Sequence, residues 1–415
     1  MAALRLLHTS DWHLGQHFMG KSRQAEHQAL CQWLLEQVQA LQVDVVLIAG
    51  DLFDTGTPPS YAREQYNQLV LALRRAGCGL VLLGGNHDSP AMLGESRQLL
   101  AELGAQVLPC LASDPDEQLL TLRNRQGEVA GLLCAIPFLR ARDLLRSEAG
   151  HSATSKQQDL QQAIAAHYQQ LFALAEARRA ELGLALPIIA SGHLTTVGAS
   201  SSESVREIYV GSLEAFPSNA FPPADYIALG HIHRPQQVGG QAHIRYSGSP
   251  LPLSFDEAGQ AKQVLLVDFA EGRLQAIEEL PVPRWQGLAS VRGSLAELPA
   301  RLAELVATAS ASQPLWLEVQ VQDDAALSDL HGRVASLCAD LPLEVLRIRR
   351  ERSQPSLALH SAAGESLDEL SAEEVFARRL QEESFDPPTR ESLLQLYRQV
   401  LAEVRDNPEA DSAVR

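Results

Sequence analysis

The 415-residue sequence has no apolar run long enough to cross a bilayer. The longest, such as Val43 to Ala49, fall far short of the ~20 residues that a helical span requires. The start, Met-Ala-Ala-Leu-Arg-Leu-Leu-His, passes straight into a polar motif and has none of the architecture of a secretion signal. The five cysteines (Cys31, Cys78, Cys110, Cys134 and Cys338) are odd in number and form no CxxC pair. That argues against a disulfide framework or a zinc ribbon and fits buried thiols in a reducing cytoplasm. Basic residues are scarce, with 34 Lys and Arg against 51 Asp and Glu, for a net charge of -17. Such a balance counts against a generic nucleic-acid coat protein, because nonspecific affinity comes from Lys and Arg neutralising phosphates. It leaves a nucleic-acid enzyme open, since bound cations or a basic partner can supply the positive charge. There is no internal repeat and no low-complexity tract.

What is present is the texture of a soluble globular chain, 45% hydrophobic and 20% charged, long enough for two or three units. Short runs rich in Val, Ile and Leu, bounded by Gly or Pro, predict strands at Leu4–His8, Val43–Ala49, Leu80–Leu83, Gly131–Ile136, Pro187–Ala190, Tyr226–Leu229, Ile244–Tyr246 and Gln263–Phe269. Stretches near 22–40, 60–76, 94–103 and 156–182 carry the helical period, and 113–128 reads as a surface loop or hairpin. This alternation predicts an α/β layered domain over 1–282. A second βαβαβ pattern over 283–352 predicts a small α/β domain, followed by a polar linker at 353–365. The last segment, 366–406, reads as two helices. Ser371 and Glu374 form a capping box, and Leu393, Leu396, Tyr397, Val400, Leu401 and Val404 make one apolar stripe. That stripe packs either on the chain itself or on a partner.

Five motifs carry the chemistry: Asp11-Trp12-His13, Gly50-Asp51, Gly85-Asn86-His87-Asp88, Gly192-His193 and Gly230-His231-Ile232-His233. Four follow an apolar run directly and the first follows after a two-residue turn, which puts them at strand ends, where open α/β sheets bind ligands. Asp, Asn and His offer oxygen and imidazole nitrogen without thiolate, a set suited to Mn, Fe or Zn. Asp11, His13, Asp51, Asn86, His193, His231 and His233 are too many ligands for one ion. They suffice for two ions about 3.5–4 Å apart that share a carboxylate, an arrangement that activates water and stabilises both oxygens of a phosphoryl displacement. Within Asp11/His13 and within His231/His233 the spacing is two, so in extended backbone each pair points toward one site. Any one motif alone is common and structurally bland; the five in order are not. The other histidines, His8 among them, read as structural.

The order D-x-H, GD, GNHD, GH, GHxH resembles the calcineurin-like metallophosphoesterase superfamily. The stretches SDWHLGQ, AGDLFDTGTPPSYARE, GGNHDSP, IPFLRARD, SGHLTTVGAS, FPPADYIALGHIHRPQ and YSGSPLPLSFDE are similar to the SbcD family of bacterial nuclease subunits within it, as is SLDELSAEEVFARRL. The resemblance implies a two-sheet β-sandwich flanked by helices, with a small capping domain. It implies the same seven metal ligands, Asp51 bridging, with His87 acting on the scissile phosphate or leaving oxygen and Asp88 orienting it. It further implies manganese (with magnesium an alternative), DNA as substrate, and self-association through the nuclease domain. The partner it implies is SbcC, a coiled-coil ATPase, bound by the C-terminal helices in a heterotetramer or larger assembly. The activities that follow are ATP-dependent double-strand exonuclease and single-strand or hairpin endonuclease action, in DNA repair, recombination and replication. The place is the cytoplasm, at the nucleoid. Two other classes stand beside this reading: a phosphoesterase for small molecules or phosphoproteins, and a non-enzymatic scaffold, which should have lost ligands. The run Arg347, Arg349, Arg350 and Arg352 is either a solvated edge or a phosphate-contacting patch.

Overall fold

The computed structural model describes residues 2–145, 153–205, 215–306, 309, 313–322, 329–351, 376, 380 and 389–397. Two six-stranded sheets lie at its centre. The first runs in the order Arg273–Pro281, Gln263–Ala270, Leu4–Thr9, Val45–Ala49, Gly79–Leu83, Ala105–Leu108; its last four strands are parallel and its first two antiparallel additions. The second runs Gln236–Val238, Gln241–Tyr246, Tyr226–Gly230, Ile188–His193, Val129–Cys134, Leu119–Arg123, with four parallel strands between antiparallel edges.

The period of two along each strand sorts side chains between layers. Leu6, Leu47, Val81 and Leu83 of the first sheet meet Leu133, Ile189, Tyr226 and Ala228 of the second in a core between the sheets. On the outer face of the first sheet, Leu7, Val46, Ile48 and Leu82 pack under the helices Gln24–Ala40 and Ser60–Arg75 through Leu30, Leu34, Leu69 and Leu73. On the outer face of the second, Ile188, Ala190, Ile227 and Leu229 pack under the helix Ala153–Leu182 through Leu160, Ile164, Tyr168 and Leu171. Each such leucine contributes about 1.5–3 kcal/mol of transfer free energy, so three cores fix the two sheets face to face. The expected helices over a sheet are thus four layers, αββα. The 113–128 region is the hairpin alternative, its strand Leu119–Arg123 pairing with Val129–Cys134. Among the described residues no helix is long and apolar enough to cross a membrane.

A three-stranded sheet, Leu288–Gly293, Leu315–Gln322, Leu343–Glu351, carries the helices Leu298–Val306 and Leu330–Cys338 and its own core of Leu298, Leu302, Leu317, Val319 and Val334. Its crossover connection joins parallel strands Leu288–Gly293 and Leu315–Gln322. Phe18, Phe255 and Leu288 form a buried cluster with Trp316 and Leu346, and the Phe18 and Trp316 rings stack at 5.7 Å. Arg347 pairs with Glu318 and, at 3.3 Å, with Glu203; Arg349 reaches Glu203 at 3.1 Å. The arginine run is therefore neither a wholly solvated edge nor a free basic patch: two of its members tie this sheet to the loop 195–205. Arg352 lies outside the described residues.

The stretch 350–415, with 322–328, forms a separate compact unit. Within it Leu380 is buried, residues 389–397 are helical, and the Phe376 and Tyr397 rings stack at 3.9 Å. Most of the expected helical hairpin, including Val400, Leu401 and Val404, and the linker 353–365 lie outside the described residues.

Candidate metal centre

All seven candidate ligands leave the C-terminal ends of parallel strands. Asp11 and His13 follow Leu4–Thr9, Asp51 follows Val45–Ala49 and Asn86 follows Gly79–Leu83. From the other sheet, His193 ends Ile188–His193, and His231 and His233 follow Tyr226–Gly230. The turns are zipped by backbone bonds: Asp11 N–H to Gly50 O at 3.0 Å, His13 N–H to Asp51 O at 3.1 Å, Leu14 N–H to Leu52 O at 2.8 Å. Four ligand residues adopt left-handed backbone, with φ of 55° at Asp11, 49° at His13, 50° at Asp51 and 92° at His231. Such positions cost of order 1–3 kcal/mol each and persist where the surroundings over-determine them. This corrects the extended-backbone expectation for the i, i+2 pairs. With left-handed residues the spacing no longer dictates one side, and His231 and His233 diverge to different clusters.

Beside a group of His13, Asp54 and His87, those two clusters are Asp11, His13 and His233, and Asp51, His193 and His231; within each, one ligand atom per residue lies within 4.8 Å of the others. Asp51 belongs to both in effect, because its Oδ2 is 3.2 Å from His193 Nε2 and 3.8 Å from His13 Nε2. The Asn86 oxygen sits 3.0 Å from His193 Nε2 and 3.2 Å from His231 Nδ1. His13 Nε2 is buried without any hydrogen-bond partner. A buried lone pair of this kind is costly unless something accepts it, and a cation does. The donor set, three oxygen-bearing side chains and four imidazoles, suits divalent metal.

Hydrogen bonds from behind fix four of these groups. His193 donates Nδ1–H to the Ala49 carbonyl at 2.9 Å, which leaves Nε2 as the inward nitrogen. His13 Nδ1 is 3.2 Å from Asp54 Oδ1. His233 Nδ1 is 2.6 Å from Ser204 Oγ and 3.4 Å from Glu257 Oε1; Ser204 donates to Glu257 at 2.5 Å, and Lys262 Nζ holds the other Glu257 oxygen at 2.6 Å. Asp11 accepts from Ser10 Oγ at 2.5 Å and from His231 N–H at 3.0 Å.

Burial works against charge throughout, and the neighbours decide the outcome. It opposes protonating His193, yet the Asp51 and Asp11 carboxylates push that imidazole up to about 9. It likewise opposes His13, raised by its bond to Asp54 and by the Asp51 and Asp11 charges. His231 goes the other way, held well below its ordinary value by burial and the nearby His193. Burial also opposes ionising Asp51, which its histidine neighbours hold below the usual carboxylate range.

Two glycines explain why the motifs begin with Gly. Gly50 has φ +95°, and a Cβ there would lie 2.2 Å from His193 Nδ1. A Cβ on Gly85 would lie 2.1 Å from Asp51 Oδ1. The ligands occupy the volume a side chain would need.

Two family profiles match: Calcineurin-like phosphoesterase over residues 4–235, and the Type 5 capsule protein repressor C-terminal domain over residues 284–384. The chain is 50% identical to SbcD, the D component of the SbcCD nuclease, from Escherichia coli strain K12, over 98% of this chain and 100% of that one. The chain belongs to the SbcD family. Its counterparts from Rhodobacter capsulatus and Bacillus subtilis are 35% and 31% identical, over 90% and 79% of this chain and 94% and 82% of theirs.

Against the SbcD resemblance, the structure gives Asp88 a different task. Both its oxygens accept backbone N–H groups, from Leu52 at 3.1 Å, Phe53 at 2.9 Å and Gly85 at 2.9 Å, so it staples the Asp51 turn to the Asn86 turn. Burial and the Asp51 charge push it up to about 6 against those three donors. His87 is oriented by Asp54 instead, with its Nδ1 2.7 Å from the Asp54 carbonyl and its N–H on Asp51 Oδ1 at 2.8 Å. Its ring meets His13 edge-on at 4.6 Å. Sequence reasoning missed Asp54, Ser204, Glu257 and Lys262. The first three lie inside stretches similar to SbcD or beside them, but nothing in their spacing marks them as neighbours of His13 and His233. His8 is structural, buried between the sheets with Nδ1 2.9 Å from Tyr226 Oη.

Proposed function

We propose that this chain is the nuclease subunit of an SbcCD-type complex, a metal-dependent phosphodiester hydrolase acting on DNA. One observation carries the reading: the Asp51 carboxylate stands between two imidazole-containing clusters in a chain matched along nearly its full length by relatives named as nuclease subunits. Asp11, His13 and His233 would hold one divalent cation, Asn86, His193 and His231 a second, and Asp51 both. Bound there, two cations supply Lewis acidity and a hydroxide nucleophile near neutral pH.

The remaining work belongs to the chain. His87 is half-buried beside the clusters. Donation of Nδ1–H to the Asp54 carbonyl makes Nε2 the nitrogen whose protonation can change, which suits it to deliver a proton to the leaving oxygen. Asp88 keeps the two ligand turns in register. The finer assignments follow the family: manganese as the cation, double-strand exonuclease and single-strand or hairpin endonuclease action, and control by an SbcC-type ATPase in a heterotetramer or larger assembly. The layout accompanying it is a nuclease domain over 1–282, a capping domain over 283–352 and a partner-binding segment within 366–406, in a protein of the cytoplasm and nucleoid.

The test is manganese-dependent cleavage of linear and hairpin DNA by the chain alone and with its SbcC-type partner. Cleavage of both substrates by the complex is expected. Turnover of small phosphoesters without DNA cleavage would overturn the reading.

A further inference from the structure

The two clusters are backed differently. In the first, both imidazoles have a carboxylate behind them: His13 Nδ1 faces Asp54 Oδ1 at 3.2 Å, and His233 Nδ1 faces Ser204 and Glu257 at 2.6 and 3.4 Å. Glu257 is fully buried and fixed by Ser202, Ser204 and Lys262 at 2.7, 2.5 and 2.6 Å. In the second, His193 is backed by the neutral Ala49 carbonyl at 2.9 Å. His231 has Nδ1 against the Asn86 amide oxygen at 3.2 Å and Nε2 buried with no hydrogen-bond partner. Whichever nitrogen of His231 faces a cation, no carboxylate stands behind the other.

A carboxylate behind a ligating imidazole fixes its tautomer and raises its basicity, and losing one typically costs about 10–100-fold in metal affinity. A neutral carbonyl does the first and little of the second, and an unpartnered N–H does neither. We infer that the two cation positions are unequal, and that Glu257 and Asp54 are the positioning residues that make the Asp11–His13–His233 position the tighter one. The inference rests on the two-cation reading above. It adds an order of filling: the cation beside His13 and His233 is resident, and the one beside Asn86 binds only at higher metal concentration and exchanges more readily.

Titration of the full chain with Mn2+ tests this, followed by calorimetry and by the electron paramagnetic resonance signal of free Mn2+. Two separable steps are expected. Glu257→Gln should weaken the tight step by about 10–100-fold and leave the weak step in place, so that the two merge. Asp54→Asn should do the same from the other side, and it serves if Glu257→Gln with its buried Lys262 fails to fold. Asn86→Ala should remove the weak step alone. Two equal steps in the unaltered chain would overturn the inference, as would a tight step that survives both of the carboxylate substitutions. A stoichiometry of one that Asp51→Asn leaves unchanged would instead overturn the two-cation reading itself.

Discussion

The two six-stranded sheets bring different chemistry to one place. The first presents every oxygen-bearing ligand candidate, Asp11, Asp51 and Asn86, together with His13. The second presents imidazole alone, from His193, His231 and His233. A third group, His13, Asp54 and His87, lies on turns of the first sheet alone, but each of the two clusters that Asp51 serves draws on both sheets. A cation at either position would therefore bridge the sandwich, so binding and folding are linked.

The sharpest break in this comparison is Asp51→Asn, which takes away the carboxylate that both clusters use. DNA cleavage in Mn2+ should fall on the order of 10³-fold, and the rise in melting temperature expected of the unaltered chain in Mn2+ should shrink with it. His87→Ala separates chemistry from assembly. Cleavage should drop by about 10²-fold while any rise in melting temperature with Mn2+ stays, because His87 is not one of the seven candidate ligands. If that thermal shift vanished, His87 would have to be counted among the ligands.

Gly50→Ala attacks the seam itself, placing a Cβ from the first sheet's turn into the His193 ring of the second. With the left-handed φ added, the cost should be about 3 kcal/mol, read as a lower urea midpoint. A variant as stable as the parent would mean that the seam is loose. The gentlest probe is acid. His8 spans the sheets to Tyr226, and burial with the Arg245 charge lowers it to about 3 from 6.5. Above pH 6.5 the ring is neutral folded or unfolded. Below it the unfolded chain gains a proton that the folded chain refuses, so stability falls as pH drops from 6.5 toward 3, by about 1.4 kcal/mol per pH unit. His8→Gln should flatten the slope of unfolding free energy against pH, read from urea titrations, by that amount. An unchanged slope would show that the ring is not kept neutral.

The seven candidate ligands could be singled out because each sits in a short motif at the end of a Val, Ile or Leu run, and the runs from Leu4, Tyr226 and Gln263 became strands nearly as bounded. Two sheets rather than one were not derivable from those runs, since a buried strand carries no mark of its neighbours; only the family resemblance supplied the sandwich. Arg273–Pro281 escaped notice because it is an edge strand, mostly exposed, with no apolar run. Asp88 and Glu257 were opaque for a related reason. A carboxylate that serves three backbone amides, or one that steadies a histidine 24 residues earlier in the chain, looks in sequence like any other acid.

The left-handed turns at Asp11, His13, Asp51 and His231 limit how far this site could be transplanted. Moving the seven side chains onto another sandwich would not move the site, because ordinary strand ends would aim four of them elsewhere. A graft would need the turns, with Gly50 and Gly85 leaving room and Asp88 stapling them, before any side chain found its cation.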